Sequence, residues 1–412
     1  MSMSDETLRK EVRSWLREHW NPQASLVEWR NVLVDSGWAM PQWPERWFGK
    51  DLDARQAAIV AAEMSAAGAV GVAASGPGRL AAAVLLEHGS DAQKERYLRR
   101  ILTGEDLWCQ LFSEPGSGSD LAGSTTRADF DGEQWIVNGQ KVWNTSAHHA
   151  RYGILVARTD WDVPKHQGLS FFVLDMKQPG VSVQQLKQMN GHASFNEVFF
   201  TDACIPADQM VSSPGNGWQV ALTTLAHERR MGDVLRATAT VRGSGRVHRE
   251  AAEETAVLLA PYTWYPQRAG RVDLVLPRAR ATGAIRDPVI RQEIARLLTL
   301  EKVSQWTALR ARAAQRRGKP QGPEGSLGKL AASNLARAAA RVHTLISGES
   351  ALLSGPESPE SGVIAEILVS VPAISIAGGT DEIQRNIIAE RVLGMDKEPR
   401  FDTGPFRDVR RN

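Results

Sequence analysis

Cysteine, net charge and long apolar runs are all scarce in this chain of 412 residues. The two cysteines, Cys109 and Cys204, exclude a disulfide framework and a cysteine-rich zinc or iron–sulfur site, and so few cysteines suit a reducing compartment. Lys and Arg number 49 against 47 Asp and Glu, a formal net charge of only +2, without the clustered basic excess of a nucleic-acid-binding protein. The charged stretch from Met1 to Trp20 does not resemble a signal peptide, and no run of 18 or more apolar residues predicts a membrane span. We therefore expect a cytoplasmic protein that binds neither nucleic acid nor a membrane.

The composition that remains is that of a globular protein, with 42% hydrophobic and 23% charged residues. At about 150 residues per domain, the length predicts two or three domains. The apolar spacing is helical up to residue 105, alternating from 106 to 211, and helical again from 212 onwards. The prediction is an α+β fold with an N-terminal helical domain (1–105), a middle β-barrel-like domain (106–211) and a C-terminal helical bundle (212–412).

Local signals place several elements within these domains. Ser4 is a candidate N-cap, and Ser90 with Gln93 forms a candidate capping box. In the middle region, strands are predicted at 134–137, 153–157, 169–174 and 198–200, with hairpin turns at Asp131-Gly132 and Asn138-Gly139. The segment 260–281 contains three prolines and a strand-like stretch at 272–276, so it is predicted to be a loop or an inserted hairpin.

The sharpest single signal is Glu228, which follows an apolar stripe on a predicted helix. Positions three or four residues apart share one face of a helix, and here they are Trp218, Ala221, Leu222, Leu225, Glu228, Gly232 and Leu235. A carboxylate on such a face loses hydration, so it is either paired or has a pKa raised toward the range of a general base. The alternative is a buried structural ion pair with one of the chain's many arginines, Arg229 and Arg230 included, and spacing alone favours it over a catalytic role.

Three segments rich in glycine or hydroxyl groups are candidate ligand sites. The segment SEPGSGSD (113–120) can bring backbone N–H groups close to an anionic or polar ligand, although it is neither a Walker A motif nor a dinucleotide fingerprint. Trp143 and Thr145 offer a flat face and a hydroxyl donor to an aromatic cofactor. In AGGTDE (377–382), Thr380 is a candidate N-cap, and glycines allow close approach to the helix N-terminus. The alternatives are an ordinary turn, a core tryptophan and a plain capped helix; no metal site is predicted.

Together these segments resemble the acyl-CoA dehydrogenase family over nearly the whole chain. Five motifs occur in the family's order: HGSDAQK (88–94), FSEPGSGSD (112–120), NGQKVW (138–143), NEVFF (196–200) and GTDEIQR (379–385). The resemblance implies an acyl-CoA dehydrogenase-like fold with FAD held between the β domain and the C-terminal helices. The FAD contacts that it implies are Gln110, Phe112, Ser113, Gly118, Ser119, Trp143, Thr145, Thr380 and Glu382.

The family resemblance also implies a reaction and its base. In fatty acid β-oxidation, a base removes the α-proton of an acyl-CoA thioester while the β-hydrogen leaves as hydride to flavin N5, which gives trans-2-enoyl-CoA. Most family members place the base glutamate just before the Gly-Thr of the last motif, a position that is Gly378 here. A minority place it on the helix after the β domain, and Glu228-Arg229 matches that pattern. The resemblance thus implies that Glu228 is the catalytic base and that the thioester pocket is lined by Ser119, Ala226, His227, Arg229 and Gly379.

Two departures from the family concern its partners. The Arg-x-x-Phe-Gly segment that reaches a neighbouring subunit's FAD has no match near 282–288, and the Gln-x-x-Gly-Gly segment is replaced around 346–349. Some family members are complexes of two unlike subunits that divide these contacts, and this chain resembles their base-bearing subunit. An altered homo-oligomer is the alternative, and electron-transfer flavoprotein is the acceptor that the family implies.

The substrate and two rival functions stay open at this point. Fatty, branched, dicarboxylic and steroid side-chain thioesters all fit the pattern. One rival is a catalytically silent assembly subunit, which Gly378 favours and Glu228 opposes. The other is a flavin monooxygenase or oxidase on the same fold.

Overall fold

The computed structural model describes residues 4–73, 75–237, 243–317, 322, 324–399 and 402–409. For residues 229–237 and 315–316 it describes the backbone alone.

Side-chain caps begin the N-terminal helices. The Ser4 side chain accepts the Thr7 N–H, and Ser90 forms a capping box with Gln93, so both predicted caps are confirmed. The helices are α1 (Asp5–His19), α2 (Leu26–Asp35), α3 (Ala54–Ala66), α4 (Gly76–His88) and α5 (Asp91–Thr103).

The middle region forms one eight-stranded sheet in the described chain. Its strands are β1 (Trp108–Leu111), β2 (Arg127–Phe130), β3 (Gln134–Lys141), β4 (Tyr152–Arg158), β5 (Leu169–Asp175), β6 (Val181–Leu186), β7 (Phe195–Pro206) and β8 (Met210–Val211). The order is β6-β7-β3-β2-β4-β5-β8, and β1 pairs in parallel with β4. The predicted β-barrel-like domain is thus a sheet, and within the described residues it is not a closed barrel: β6 pairs with β7 and β8 pairs with β5, with no pairing between β6 and β8.

The Asn138-Gly139 dipeptide is not a hairpin turn. It lies inside β3, where the register with β7 shifts between Val137 and Gly139. Gly139 has a φ of +149°, and a Cβ built on it would lie 2.7 Å from the Cα of Thr126. The glycine therefore makes a β-bulge and lets the neighbouring chain pass closely. The other predicted turn, Asp131-Gly132, does join β2 to β3.

Helices return after the sheet. They are α6 (Gly217–Ala237), α7 (Arg246–Leu259), α8 (Tyr265–Arg268), α9 (Val272–Ala281), α10 (Pro288–Arg316), α11 (Glu324–Ser347), α12 (Val363–Ser370), α13 (Pro372–Ile376) and α14 (Asp381–Arg391). The prediction of a loop or hairpin at 260–281 is wrong, because α8 and α9 occupy most of it. Val275 and Ala279 of α9 are fully buried in a core with Leu297 and Val342. This packing outweighs the helix-breaking tendency of Pro277, which lies inside α9.

The chain divides into two compact units. The first contains residues 1–186, 194–261 and 401–412, and the second contains 187–193 and 262–400. Helices α6 and α7, which the sequence assigned to the C-terminal helical domain, belong to the first unit with the sheet. In the second unit, the loop 187–193 is attached by His192, whose Nε2 lies 3.0 Å from Oε1 of Glu366.

By length and composition alone, one described stretch, Pro359–Arg391, is long and apolar enough to cross a membrane. An 18-residue window within it has a mean hydropathy of 1.8. It is divided among α12, α13 and α14, which have 8, 5 and 11 residues. A membrane-spanning helix needs about 20 consecutive residues. Gly378 and Gly379, both at positive φ, separate α13 from α14, so the stretch is not one continuous helix.

A buried ion pair ties the segment after β1 to the end of β3. Lys141 is fully buried, and its Nζ donates to Oε1 of Glu114 at 2.8 Å and to the carbonyl of Phe112 at 2.9 Å. The Glu114 carboxylate also accepts the backbone N–H groups of Thr125 and Thr126, at 2.7 and 2.9 Å. Burial alone would raise the pKa of Glu114, but the Lys141 ammonium and the backbone donors outweigh it and lower the pKa to about 2. Burial lowers the pKa of Lys141, yet the two acceptors that face its ammonium match the protonated form.

Lys141→Met should destabilise the protein by about 3–5 kcal/mol, because it leaves the buried Glu114 carboxylate without its cation. Lys10→Met, at an exposed position of α1, is the matched control and should change stability by less than about 0.5 kcal/mol. Denaturant unfolding measures both.

The same pair sets an expected acid dependence. The Glu114 pKa is lower folded than unfolded, so its contribution is complete above about pH 4.5 and is lost as the pH falls toward about 2. Equal losses of stability in Lys141→Met and Lys10→Met, or no difference in their slopes across this pH window, would contradict the role assigned to the pair.

Candidate active site

Glu228 lies on α6, in the first unit. Val220, Ala221 and Thr224 of this helix are fully buried, whereas Leu222 is 38% exposed. The predicted apolar stripe is therefore wrong at Leu222, because the face of α6 that packs against the core contains Val220 and Thr224 instead. Glu228 itself is half-buried near the border of that face.

The Glu228 carboxylate reaches the end of β1. Its Oε2 accepts a hydrogen bond of 3.4 Å from Nε2 of Gln110, a strand residue 118 positions earlier in the chain. The alternative partners Arg229 and Arg230 have side chains outside the described set. The structure thus brings the candidate base next to the first predicted cofactor segment.

Two polar contacts fix the turn of α6 that carries Glu228. Nε2 of His227 lies 2.6 Å from Oε1 of Glu87 on α4, and Nε2 of His88 lies 2.9 Å from Oγ1 of Thr223. The predicted pocket residue His227 is thereby held against α4. Of the other predicted pocket residues on this helix, Ala226 is half-buried and Arg229 is described by its backbone alone.

The segment after β1 presents backbone and small hydroxyl groups rather than an aromatic ring. Phe112 is buried and packs edge-to-face on Phe171, with ring centroids 5.9 Å apart. Ser113 is half-buried, while Gly118 and Ser119 are exposed. A ligand at this segment would therefore meet the serines and the backbone, and the Phe112 ring belongs to the core.

The turn after β3 places Trp143 outward and Asn144 inward. Trp143 is 58% exposed and has a φ of +65°. Asn144 is buried; its Nδ2 donates to the Gln110 carbonyl at 2.7 Å, and it exchanges two backbone hydrogen bonds with Asn196, at 3.1 and 3.0 Å. The core-tryptophan alternative is therefore wrong, because the interior position is taken by Asn144. Thr145 follows half-buried in the same turn.

The C-terminal candidate segment lies in the second unit and opens α14. Gly378 and Gly379 have φ values of +69° and +83°. Thr380 is the N-cap, as predicted, and its Oγ1 accepts the Ile383 N–H at 3.3 Å. Glu382 is exposed on the first turn of the helix. The segment therefore offers two left-handed glycines and a capped helix N-terminus.

Comparison with known proteins agrees with this architecture. Three family models match in succession: the acyl-CoA dehydrogenase N-terminal domain over residues 2–105, the middle domain over 109–203 and the C-terminal domain over 269–393. The acyl-CoA dehydrogenase IpdE1 of Mycobacterium tuberculosis is 32% identical over 95% of this chain and 98% of its own length. The chain belongs to the acyl-CoA dehydrogenase family. It is accordingly an oxidoreductase that acts on acyl-CoA and takes part in fatty acid metabolism.

A further relative and two solved structures are similar to this chain in sequence or in fold. The short-chain specific mitochondrial acyl-CoA dehydrogenase of Mus musculus is 28% identical over 92% of this chain and 84% of its own length. Among solved structures, acyl-CoA dehydrogenase from Geobacillus kaustophilus superposes with a TM-score of 0.61 at 24% identity, covering 95% of this chain and 98% of its own. The ChsE4-ChsE5 complex of Mycobacterium tuberculosis gives a TM-score of 0.55 at 25% identity, covering 97% and 100%. The predicted order of a helical, a sheet and a second helical region is thus confirmed.

The residues present fit the flavin that the family implies. The exposed Trp143 indole provides a flat aromatic face on which part of a flavin ring can stack. A Cβ added at Gly116 or Gly118 would meet no atom within 4 Å, so a ligand can approach the backbone there. Within the described residues no group of three or more His, Cys, Asp or Glu side chains could hold a metal ion.

Two residues of the candidate site carried no separate signal in the sequence. Lys141 and Asn144 lie in or beside the NGQKVW motif, but their spacing does not reveal which way their side chains point. A buried lysine in a strand is rare unless it is paired, but the bulge at Gly139 interrupts the alternation of β3, so the strand pattern did not identify Lys141. Nothing in the sequence distinguishes Asn144 from an ordinary turn residue.

Trp143→Ala should leave the free energy of unfolding within about 0.5 kcal/mol of the wild type, since the side chain is largely exposed. It should nevertheless reduce the flavin retained on purification, because an aromatic stacking face is lost. Trp306→Ala, at a position 64% exposed on α10, is the matched control and should retain flavin. Unchanged flavin absorbance in the Trp143 variant would contradict the proposed stacking role.

Proposed function

We propose that this chain is an FAD-dependent acyl-CoA dehydrogenase that forms trans-2-enoyl-CoA, with Glu228 as the base. The observation that carries the proposal is the hydrogen-bonded connection from Glu228 to Gln110 and from Gln110 to Asn144, the residue after Trp143. This connection joins the candidate base to the two flavin-type segments of the first unit, which are the segment after β1 (110–119) and the turn after β3 (143–145).

The chemistry divides between this chain and its cofactor. FAD, held by these residues, would supply the hydride acceptor for the β-hydrogen of the substrate. Glu228 takes the α-proton of the thioester, which requires an ionised carboxylate at the start of the reaction. The hydroxyls of Ser113, Ser119 and Thr145 and the backbone of the segment after β1 are the groups that would orient the cofactor.

Gly378 supports the placement of the base on α6. The usual family position of the glutamate is occupied here by a residue without a side chain. Its φ of +69° is a conformation that L-residues rarely adopt. The carboxylate must therefore come from elsewhere, and Glu228 meets that need.

Two rival functions fit the site less well. A silent assembly subunit has no need of a carboxylate held beside the cofactor segments. A flavin monooxygenase or oxidase typically works without the base glutamate. Anaerobic bleaching of the flavin by acyl-CoA discriminates these rivals, since only a dehydrogenase or an oxidase bleaches, and only an oxidase then reoxidises rapidly in air.

Glu228→Gln should preserve the fold and the bound flavin but lower flavin reduction by acyl-CoA by at least about 10²–10⁴-fold, because the isosteric amide cannot accept the α-proton. Glu133→Gln, at an exposed position between β2 and β3, is the matched control and should react like the wild type. The measurement is rapid mixing of acyl-CoA with the oxidised protein in the absence of oxygen. Near-wild-type reduction by Glu228→Gln would reject the assignment of the base.

We further propose that the chain works in an oligomer with a related but unlike dehydrogenase subunit and passes electrons to an electron-transfer flavoprotein. The missing Arg-x-x-Phe-Gly and Gln-x-x-Gly-Gly segments support an unlike partner, because the FAD pyrophosphate needs cationic donors that a neighbour would supply. A solved structure similar to this chain, the ChsE4-ChsE5 complex of Mycobacterium tuberculosis, is itself a complex of two differently named components.

Expressed alone, the chain should therefore bind substoichiometric FAD, and co-expression with a related dehydrogenase that retains the arginine segment should restore it. The co-expressed protein should also melt at a higher temperature, since ligand binding stabilises the folded state. FAD per chain and mass in solution are the measurements. A lone chain that forms a homo-oligomer with one FAD per chain and full activity would refute the unlike-partner proposal and leave Glu228 unaffected.

A further inference from the structure

Gln110 is an unusual residue for its strand. In β1 the side chains of Cys109 and Leu111 are fully buried on one side of the sheet, and Trp108 is buried on the other. Gln110 shares the side of Trp108, because strand side chains alternate. A polar side chain in such a strand needs a hydrogen-bond partner, and the partner here is the carboxylate of Glu228.

The backbone of Gln110 is held from two directions. It is in register with Ile154 of β4, and its carbonyl accepts Nδ2 of Asn144 at 2.7 Å. Asn144 is in turn paired with Asn196 through backbone hydrogen bonds in both directions. Only the side chain of Gln110 is left to move, and it reaches α6.

We propose that Gln110 is a positioning residue for the base: its side-chain amide orients the Glu228 carboxylate and favours the ionised form. This inference rests on the proposed function, in which Glu228 removes the α-proton. An N–H donor stabilises a carboxylate relative to the neutral acid. The family resemblance alone would make Gln110 a flavin contact, and the hydrogen bond to α6 gives its side chain a different role.

The other titratable groups near this part of α6 are already engaged. His227 pairs with Glu87, and His88 with Thr223; the Arg229 side chain is outside the described set. A substitution at Gln110 leaves the contacts of His227 and His88 in place. A shift in the pH dependence would therefore come from the change at Gln110 and not from these two histidines.

The test compares Gln110→Leu and Gln110→Glu with the wild type, as FAD-loaded protein in the assembly that retains FAD. Removing the donor should move the acid limb of the pH profile for flavin reduction upward by about one pH unit, which is about tenfold less ionised base below the limb. The isosteric Gln110→Glu should move it further, because a second carboxylate disfavours ionisation of the first. KM for acyl-CoA and FAD per chain should stay within about twofold. Gln185→Leu, at an exposed position of β6, is the matched control and should leave the limb in place.

The outcomes separate this inference from the proposed function. Unmoved acid limbs in both variants would overturn the positioning role, as would FAD loss with a normal limb in the protein that remains loaded, since Gln110 would then be a cofactor contact. If Gln110→Leu does not fold, the isosteric Gln110→Glu decides alone. Retention of wild-type flavin reduction by Glu228→Gln would instead reject the base itself.

Discussion

The buried pair of Glu114 and Lys141 is the interaction on which the rest of the site depends. Two opposite charges in the interior are stable only when their remaining hydrogen-bonding capacity is satisfied. Here the carboxylate accepts N–H groups from Thr125 and Thr126, and the ammonium also donates to the carbonyl of Phe112. These contacts join the segment after β1 to the end of β3 and the start of β2. The two flavin-type segments are thereby held on one rigid support.

The third part of the site comes from a helix rather than from the sheet. Helix α6 packs Val220 and Ala221 into the same core as Phe112 and Phe171, so its position is set by the strands that carry the candidate cofactor segments. The contacts of His227 and His88 with neighbouring groups then fix its rotation. Glu228 is thus placed by packing, and a site built on strands and a packed helix holds its geometry more precisely than one built on loops.

The structure differs from the sequence predictions where packing outweighs local preference. The Asn138-Gly139 dipeptide has the composition of a hairpin turn, but the long pairing of β3 with β7 continues through it, so the glycine becomes a bulge. Three prolines predicted a loop at 260–281, but the apolar residues of α9 find a core and the helix forms around Pro277. Both errors have one cause. Glycine, asparagine and proline indicate which backbone conformations are favourable locally, but they do not indicate which strands or helices the segment will pack against.

The sequence by itself determined the order of helical, strand and helical regions, the capped helix starts and the family. Caps, apolar periods and motifs each depend on residues that are close together in the chain, so they can be recognised from the sequence alone. Only the tertiary structure decided that the sheet stays open, that α6 and α7 join the unit of the sheet, that Trp143 faces outward, and that Gln110 meets Glu228. Each of these depends on a contact between residues far apart in the chain. The packing of the elements determines which distant residue a side chain contacts. The spacing of residues within one element does not predict that packing.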